Sequence, residues 1–383
     1  MRFPGFQGEW VEKRLKDVAD YITKRVSSSL LSVNNYVSTE NLLQDFQGVV
    51  PAFSIPSNTN VVSYKQNDIL FSNIRPYLRK VWKANSDGGC SSDVFVFRNK
   101  EGCSSTFLYY SIANVKFIDY VMAGAKGVKM PRGDKQQIQQ YPILLPLKFE
   151  QEKIAIFLSL LDDRIATQNK IIEQYKSLIK GMSEKLFSEE IRFKEFSEIW
   201  QLNTLGKALI KNSTKNRKQK HSIVQSVSNK YGFINQDEIF EDRRVASVNT
   251  SNYYVIKKGY FAYNPSRINI GSLAYKNDDE VSVISPLYIS FKANNDFLVD
   301  YFLWYWFTTN GFTQQMNNLF EGSVRNTLSY ESLIRMIIPI PSTKEQTKIA
   351  GFLLSIEEKI ETEKQLLKKY TEQKKYLLTN MFV

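Results

Sequence analysis

The stretch that decides the fold is YPILLPLKFEQEKIAIFLSLLDDRIATQNKIIEQYKSLIKGMSEKLF, residues 141–187, because a second copy of it stands near the end of the chain. Residues 336–382 read MIIPIPSTKEQTKIAGFLLSIEEKIETEKQLLKKYTEQKKYLLTNMF, and the Glu-Gln pairs of the two copies lie 195 residues apart. A period close to half the length of a 383-residue chain predicts two tandem copies of one structural unit.

Each copy also has an aromatic opening segment. Residues 2–10 (RFPGFQGEW) return as residues 192–200 (RFKEFSEIW). A long middle segment separates each opener from its helical end, and the two middles match poorly although the ends match well. The contrast predicts one shared scaffold that carries two different functional segments.

The charge of the chain favours a polyanionic partner. Lys and Arg number 51 against 39 Asp and Glu, giving a formal charge of +12. A basic surface attracts phosphates and releases counterions on contact. The same balance also fits an ordinary basic protein of the cytoplasm, so charge alone leaves both interpretations open.

The sequence predicts a cytoplasmic protein without membrane contact. No apolar run reaches the ~18–20 residues needed to span a bilayer. Acidic residues near the start and the lack of an apolar core segment argue against a signal peptide. Cys90 and Cys103 form no Cys-x-x-Cys pair, so we expect free thiols in a reducing compartment.

The repeated ends predict two long helices. Residues 151–187 lack proline, and apolar residues recur at heptad spacing in both copies, which is typical of a coiled-coil seam. About 35 residues would form a rod roughly 50 Å long. The predicted seam consists of Ile154, Leu158, Leu161, Ile165, Ile172, Tyr175, Ile349, Leu353, Ile356, Ile360, Leu367 and Tyr370.

Other positions on the helices point to register and to partners. Gln168 and Glu363 occupy the same seam position, where a polar residue fixes register or faces solvent or another protein. Apolar residues on the outer faces predict a surface that partners cover. These residues are Leu160, Leu178, Leu354 and Leu366.

The middles read as mixed α/β segments with short strands. Residues 68–73 correspond to 259–264, and residues 92–97 correspond to 285–291. Alternating β-branched and aromatic residues between Asn, Gly and Pro are the pattern of strands.

An asparagine and an arginine follow the first of these strands in both copies. They are Asn73 with Arg75, and Asn264 with Arg267. Arg to guanine and Asn to adenine are frequent bidentate contacts in the DNA major groove. A purely structural loop is the alternative interpretation of this short pattern.

Basic residues concentrate in the loops of the middles. The clusters contain Lys126, Lys129 and Arg132 in the first copy, and Lys215, Arg217 and Lys218 in the second. Residues 321–327 of the second copy, with Arg325 and Thr327, stand at the place of the first cluster. Gly, Ser and Thr beside Lys or Arg suit phosphate contacts, although solvated loops remain the alternative.

The sequence offers no catalytic constellation. His221 is the sole histidine, which argues against histidine metal sites and histidine-based nucleophilic catalysis. No P-loop and no Gly-x-Gly-x-x-Gly motif occurs. Asn264-Pro265 is followed by Ser266-Arg267, so the Asn-Pro-Pro-aromatic loop of adenine methyltransferases is incomplete. We therefore expect a binding protein with no metal and no cofactor of its own.

The opener F-P-G-F-x-x-x-W and the exit P-x-x-x-E-Q-x-K-I-A, at residues 146–155 and 341–350, resemble the specificity subunit of type I restriction–modification systems. The resemblance covers nearly the whole chain. It implies an α+β fold of two α/β target-recognition domains in a tandem pseudo-twofold repeat, separated by two long helices packed as an antiparallel coiled coil. The implied domains are 1–149 (target recognition), 150–190 (helix), 191–344 (target recognition) and 345–383 (helix). In the second opener Lys194-Glu195 replace Pro-Gly.

The resemblance further implies a non-enzymatic subunit that binds double-stranded DNA. Each target-recognition domain would read one half of a bipartite asymmetric site, while the helices set the spacer and dock two modification (methyltransferase) subunits. Restriction subunits would add ATP-dependent translocation and cleavage. Two alternatives are a protein-only adaptor with repeated binding sites and a single-chain modification enzyme, whose motifs are absent.

Overall fold

The computed structural model of the protein describes residues 2–236, 249–321 and 326–382. The chain forms two compact units. The first unit comprises Met1–Asn169 and Gln365–Val383, and the second unit comprises Lys170–Lys364. Within the described parts of the chain, no helix combines the length and apolar character needed to cross a membrane.

The helices range from single turns to two rods of 40 and 39 residues. They are α1 (Leu15–Val18), α2 (Ser105–Ile112), α3 (Val115–Ala123), α4 (Lys135–Gln139), α5 (Lys148–Phe187), α6 (Leu205–Ala208), α7 (Asp300–Trp306), α8 (Asn310–Asn318), α9 (Tyr330–Leu333) and α10 (Thr343–Met381). Short 3₁₀ turns occur at Ser28–Leu30, Pro76–Leu78 and Ile268–Ile270.

In the first unit, short strands form two four-stranded sheets and one two-stranded sheet. The strands are β1 (Val11–Arg14), β2 (Ala19–Tyr21), β3 (Arg25–Ser27), β4 (Tyr36–Val37), β5 (Asn60–Tyr64), β6 (Ile69–Ser72), β7 (Val81–Lys83), β8 (Gly88–Cys90), β9 (Val94–Asn99) and β10 (Pro142–Leu145). The sheet orders are β2-β9-β6-β7, β3-β5-β8-β4 and β1-β10. Pairing is antiparallel except between β4 and β8.

The second unit repeats this plan. Its strands are β11 (Gln201–Thr204), β12 (Leu209–Lys211), β13 (Val224–Ser228), β14 (Gly232–Asn235), β15 (Tyr254–Ile256), β16 (Tyr260–Tyr263), β17 (Leu273–Tyr275), β18 (Ser282–Ile284), β19 (Ile289–Ala293) and β20 (Ile337–Ile340). The sheet orders are β12-β19-β16-β17, β14-β13-β18-β15 and β11-β20. The predicted tandem α+β repeat is confirmed.

Strand β6 shows why the sheets are apolar on both faces. Ile69 and Phe71 point into a core shared with the helices, whereas Leu70 joins a separate core with residues of the second sheet. Phe71 is fully buried and meets Phe117 of α3 edge to face at 5.3 Å. Burying one such side chain contributes about 1.5–3 kcal/mol.

The long helices share a core within each unit. In the first unit the start of α5 and the end of α10 contribute Ile154, Leu158, Leu161, Leu377, Leu378 and Met381 to one cluster. In the second unit the end of α5 and the start of α10 contribute Met182, Leu186, Ile349, Ala350 and Leu353. Because each unit joins the start of one helix to the end of the other, the two helices pack antiparallel, as predicted.

A buried ion pair ties each opener to its long helix. Arg2 donates through Nε and Nη2 to the two carboxylate oxygens of Glu150, at 2.7 and 2.8 Å. Arg192 meets Glu345 in the same way, also at 2.7 and 2.8 Å. Both carboxylates are essentially inaccessible to solvent. Bidentate pairing of this kind fixes geometry as well as charge, which explains why opener and exit recur together.

The glutamine that follows each glutamate holds three backbone groups. The Gln151 amide accepts from Ser104 N at 2.8 Å and donates to the carbonyls of Gly102 and Pro146 at 3.0 and 2.9 Å. Gln346 makes the matching bonds in the second unit, the shortest being 2.8 Å from the backbone nitrogen of Val299. The Glu-Gln pair therefore fastens the opener, the exit and the chain entering α2 or α7.

Candidate nucleic-acid interface

In the first unit, many strand ends meet at one edge of the two larger sheets. β6 ends there opposite the start of β9, and β4 and β8 end there side by side. β3 also ends there, opposite the start of β5, whose other partner is β8. We call this region the loop edge. It comprises the loops that follow these ends, residues 28–35, 38–59, 73–79 and 91–93, and also residues 126–132, which follow α3 and reach this edge through a bridge from Arg132 to Ile74. This convergence places several candidate residues near one another.

Residues 126–132 form a closed hairpin, here called the first hairpin. The backbone N–H groups of Lys126 and Arg132 each donate to the other residue's carbonyl at 2.9 Å. Arg75 N donates to the carbonyl of Pro131 at 2.8 Å, and a bridge joins Ile74 to Arg132. The structure therefore brings Asn73, Arg75, Lys126 and Arg132 together through their backbones.

The cations of this region differ in how far they are engaged. Lys126 lies 3.2 Å from Asp134, and Arg132 lies 3.5 Å from Asp93. Both lysine and arginine side chains are more than half exposed, and pairs of this kind contribute little to stability. Backbone N–H donation to the carboxylate, first from Gln137, and then the nearby Lys126 hold the pKa of Asp134 below its usual value.

Arg75 and Lys129 are the open cations of the loop edge. Both are exposed, and neither forms an ion pair with any residue in the described parts of the chain. Arg75 has a left-handed backbone (φ 50°) at the start of the 3₁₀ turn Pro76–Leu78. Such exposed groups can meet phosphate oxygens or base edges.

Asn73 has a different environment. Its side chain is half-buried, and its amide oxygen has no hydrogen-bond partner among the described residues although no solvent reaches it. A Cβ placed on Gly133 would lie 2.9 Å from that oxygen. This geometry favours support of the loop by Asn73 over a bidentate contact with adenine, which needs both amide atoms exposed.

The second unit contains a corresponding arrangement, here called the second loop pair: the loop that follows β16, and the segment closed by Glu321 and Thr327. Glu321 and Thr327 exchange backbone hydrogen bonds at 2.9 and 3.0 Å, and Leu328 N donates to the carbonyl of Pro265 at 3.0 Å. The Thr327 hydroxyl donates to the Glu321 carbonyl at 3.1 Å. Residues 322–325, including the predicted contact residue Arg325, lie outside the described residues.

Hydroxyl groups hold the Glu321 side chain. Its carboxylate accepts from Ser332 and, at 2.8 Å, from Ser329. These two hydrogen bonds, that of Ser332 first, lower the pKa of Glu321. The anchored carboxylate ties the base of this loop to the start of α9.

Strand register establishes which candidates are equivalent. Phe71 pairs with Phe95 and Val81, and Tyr263 pairs with Ile289 and Leu273, so β6 and β16 correspond at an offset of 192 residues. This register matches Arg75 with Arg267, and each directly precedes a 3₁₀ turn. Arg267 is likewise exposed and without an ion pair in the part of the chain that the structure describes.

The same register corrects the expected pairing of the asparagines. Asn264 lies at the position of Ser72, and Asn73 lies at the position of Pro265. The correspondence of residues 68–73 with 259–264 is therefore wrong by one residue. A shift of one residue moves every side chain to the other face of the sheet, which residue type alone does not reveal.

Lys215, Arg217 and Lys218 lie in a separate loop of the second unit. Lys215 is bridged to Tyr254 of β15, and its ammonium group stands 3.3 Å from the centre of that ring. Buried Asn216 organises the turn by donating to the His221 carbonyl at 2.8 Å. Arg217 and Lys218 remain exposed, without ion pairs to described residues.

The sequence interpretation missed the apolar residues of the loop edge. Phe53 and Val128 are fully exposed, and Leu30 is 74% exposed. The exposed apolar residues of this edge are Leu30, Val33, Val50, Phe53, Tyr77, Val128 and Met130. One signal in the sequence could have pointed to Val128: an apolar residue that stands between a glycine and a lysine in an otherwise polar loop, at residues 127–129.

The predicted helix positions divide into seam and outer face. Buried seam residues are Ile154, Leu158, Leu161, Ile172, Ile349, Leu353, Ile356 and Ile360, and half-buried ones are Ile165, Tyr175, Leu367 and Tyr370. Gln168 is buried and Glu363 is half-buried. On the outer face Leu160 and Leu178 are 55% and 45% exposed, whereas Leu354 and Leu366 are half-buried.

Comparison with known proteins identifies the class. Residues 7–177 and 188–371 each match the family described as type I restriction modification DNA specificity domain. The type I restriction enzyme MjaVIII specificity subunit of Methanocaldococcus jannaschii is 25% identical over 97% of this chain and 91% of its own length. The EcoDI specificity subunit of Escherichia coli is 23% identical over 49% of this chain and 43% of its own length.

Solved structures share the fold. The type I restriction–modification S subunit from M. genitalium has a TM-score of 0.59 at 16% identity, covering 100% of this chain and 99% of that chain. A chain from a structural study of complex assembly and conformational transition in the type I system has a TM-score of 0.58 at 15% identity, covering 98% of both.

The two family matches, one in each copy of the duplicated fold, define a DNA-specificity protein. Since the two family matches span most of its length, the chain belongs to the type I restriction modification DNA specificity family. It is a non-catalytic specificity subunit, and such subunits bind DNA and assemble with methylase and restriction subunits. The resemblance inferred from the repeated motifs is confirmed, and the adaptor and single-chain enzyme interpretations are set aside.

Proposed function

We propose that the first unit reads one half of a bipartite, asymmetric DNA site and that the second unit reads the other half. The observation that carries this proposal is the equivalence of Arg75 and Arg267, two exposed arginines at the same point of the repeated fold. Each stands near a seven-residue segment whose two end residues are hydrogen-bonded to each other. The segments differ in sequence, KGVKMPR in the first unit and EGSVRNT in the second. Two arginines at equivalent positions, beside segments that differ in sequence, are suited to two half-sites that differ in sequence.

Within each half-site, we assign contacts with the DNA phosphates and contacts with the DNA bases to different residues. Exposed cations without ion pairs in the described regions, such as Lys129, Arg217 and Lys218, suit phosphate contacts that position the unit on the duplex. Arg75 and Arg267 are the candidates for a bidentate contact with guanine. Asn264 and Thr327 border the second loop pair and can add hydrogen bonds there.

The helices are proposed to set the spacer between the half-sites. Both α5 and α10 continue along the chain from one unit into the other, so their lengths are the natural determinant of the gap. Their exposed apolar residues, including Leu160 and Leu178, suit the docking of two methylation subunits. In this scheme the target-recognition domains are 1–149 and 191–344, and the helices are 150–190 and 345–383.

The complex is proposed to act in the cytoplasm, where it reaches chromosomal DNA. The chain would bring specificity, the methylation subunits would methylate adenines, and the restriction subunits would translocate and cleave DNA. The chain itself would need no cofactor for this role.

The test is to co-express the chain with its candidate methylation subunits in a host that lacks adenine methylation and to sequence the genome for modified adenines. The expected result is one split motif with two defined halves and a constant gap. Replacing residues 1–149 by the corresponding segment of a relative with another target should change one half only, and replacing 191–344 should change the other.

A matched control uses the same methylation subunits with an inactivated catalytic site. A change in both halves after either replacement would contradict the assignment of one half-site to each unit. A stable complex without methylated motifs would contradict the proposed role in DNA modification.

A further inference from the structure

The tip of the first hairpin presents an apolar side chain among cations. Val128 is fully exposed and Met130 is 49% exposed, with the exposed Lys129 between them. A single exposed valine is common on protein surfaces. Here it belongs to a group of exposed apolar residues concentrated on the loop edge, beside Arg75.

The hairpin holds this tip in a defined position. Reciprocal bonds of 2.9 Å between Lys126 and Arg132 close its base, and Arg75 N anchors it through the Pro131 carbonyl. Gly127 has a φ of +95°, a conformation that permits the tight turn. Val128 therefore projects from a loop that is closed at its base and anchored to the loop after β6.

The surroundings of Val128 indicate what it meets. Lys126 and Arg132 face Asp134 and Asp93. Arg75 and Lys129 have no ion pair among the described residues, so the region keeps an excess of positive charge, which fits a polyanion. In the DNA major groove the apolar group that a base edge offers is the C5-methyl of thymine. A valine at the tip of a closed cationic loop matches that combination of charge and apolar contact.

We propose that Val128 determines specificity by contacting the C5-methyl group of a thymine in the half-site read by the first unit. The inference rests on the proposed function, since it presupposes that the loop edge enters that half-site. The contact distinguishes thymine from deoxyuridine, which pairs identically but lacks the methyl group. Arg75 and Lys129 supply the charge that brings the hairpin to the groove.

The experiment uses the complex of the full chain with its methylation subunits and duplexes that carry the mapped motif. Each thymine of the relevant half-site is replaced in turn by deoxyuridine, and dissociation constants are measured at one salt concentration. At one thymine the replacement should weaken binding by the wild-type complex about fourfold, the factor that corresponds to the ~0.8 kcal/mol of one buried CH₂ group.

Two alanine variants make the assignment specific. The complex with Val128→Ala should bind the thymine duplex several-fold more weakly than wild type and should no longer distinguish thymine from deoxyuridine. Val11→Ala removes an exposed valine of β1, away from the loop edge, and should behave as wild type. Because Val128 is fully exposed, its replacement leaves the packing of the unit unchanged.

Three results would overturn the proposal. These are a wild-type complex indifferent to every replacement, a Val128→Ala complex that still discriminates, or an equal loss of affinity for Val128→Ala on all sequences. None of them affects the bipartite motif itself. Failure of the proposed function is recognised separately, because replacing residues 1–149 would then not move one half of the motif.

Discussion

Replacing Gln151 by methionine tests whether the Glu-Gln pair fastens the first unit. The substitution keeps the length of the side chain and removes its amide. In the folded protein Gln151 is 1% exposed, and its amide bonds to three backbone groups. We expect a large loss of stability, because the backbone partners keep their positions and lose their hydrogen bonds.

The size of the expected loss of stability follows from the three hydrogen bonds. The bond to the Pro146 carbonyl is buried, and an unsatisfied buried acceptor costs about 1–3 kcal/mol. The bonds to Ser104 and Gly102 are partly buried and contribute about 0.5–1.5 kcal/mol each. The expected decrease in the free energy of unfolding is therefore about 2–6 kcal/mol, or about 4 kcal/mol at the middle of each range.

Two separate assays test this expectation: urea denaturation, and amide hydrogen exchange of the folded protein. The urea midpoint should fall, while the slope of the free energy of unfolding against urea concentration should stay unchanged. The amide of Ser104 should lose protection, whereas the amide of Val299 should keep it. Gln346→Met should reverse this pattern, because Gln346 holds Val299 with an equivalent set of bonds.

Glu152→Met is the matched control, since residue 152 lies next to Gln151 on the exposed side of α5. Its effect should stay within about 0.5 kcal/mol, as for most surface substitutions. A loss from Gln151→Met no larger than that of the control would refute the fastening role. Loss of protection at Ser104 and Val299 alike would refute its confinement to one unit.

Arg75→Ala and Arg267→Ala should each relax one half of the recognised motif, costing about 1–3 kcal/mol if a bidentate contact with guanine is lost. Methylome mapping checks this, and equal weakening on all sequences would assign the arginine to phosphate instead. Burial raises the pKa of the Cys90 and Cys103 thiols to about 12, so below pH 9 a maleimide should label them only after unfolding. Rapid labelling of the native protein would contradict the buried positions. Deleting one heptad from α5 should change the gap between the two half-sites, as read from methylated motifs, and an unchanged gap would argue against the helices as its determinant.

The repeated ends of the two copies were predictable because their signals are periodic and local. A heptad pattern without proline identifies a long helix, and the structure places helices at Lys148–Phe187 and Thr343–Met381. Of the strands in the middles, only β6, β9, β16 and β19 were predicted from alternating apolar residues, and residues 285–288 of the predicted segment 285–291 lie outside β19. The partners of Glu150 and Gln151 were not predicted, because buried backbone contacts leave no periodic trace in the sequence.

The equivalence of the middles required strand register. Pairing matches Tyr21 with Lys211 at an offset of 190, and Phe97 with Phe291 at an offset of 194. The offset grows because loops of unequal length separate equivalent strands. Matching residues by type therefore paired Asn73 with Asn264. The register of the strands instead aligns Asn73 with Pro265 and Asn264 with Ser72. Strand alignment places Arg75 and Arg267, which the sequence had already paired, at equivalent positions.

The positions of these residues explain how one scaffold can serve two unlike half-sites. Gln151 and Glu150 are buried and bonded on several sides, so changing them destabilises the unit. Arg75, Val128 and Lys129 are exposed, and replacing such residues changes the free energy of unfolding by less than about 0.5 kcal/mol. Sequence preference can therefore vary on the loop edge without loss of the fold. The same separation is the reason to expect that exchanging one middle segment alters one half of the motif and leaves the other unchanged.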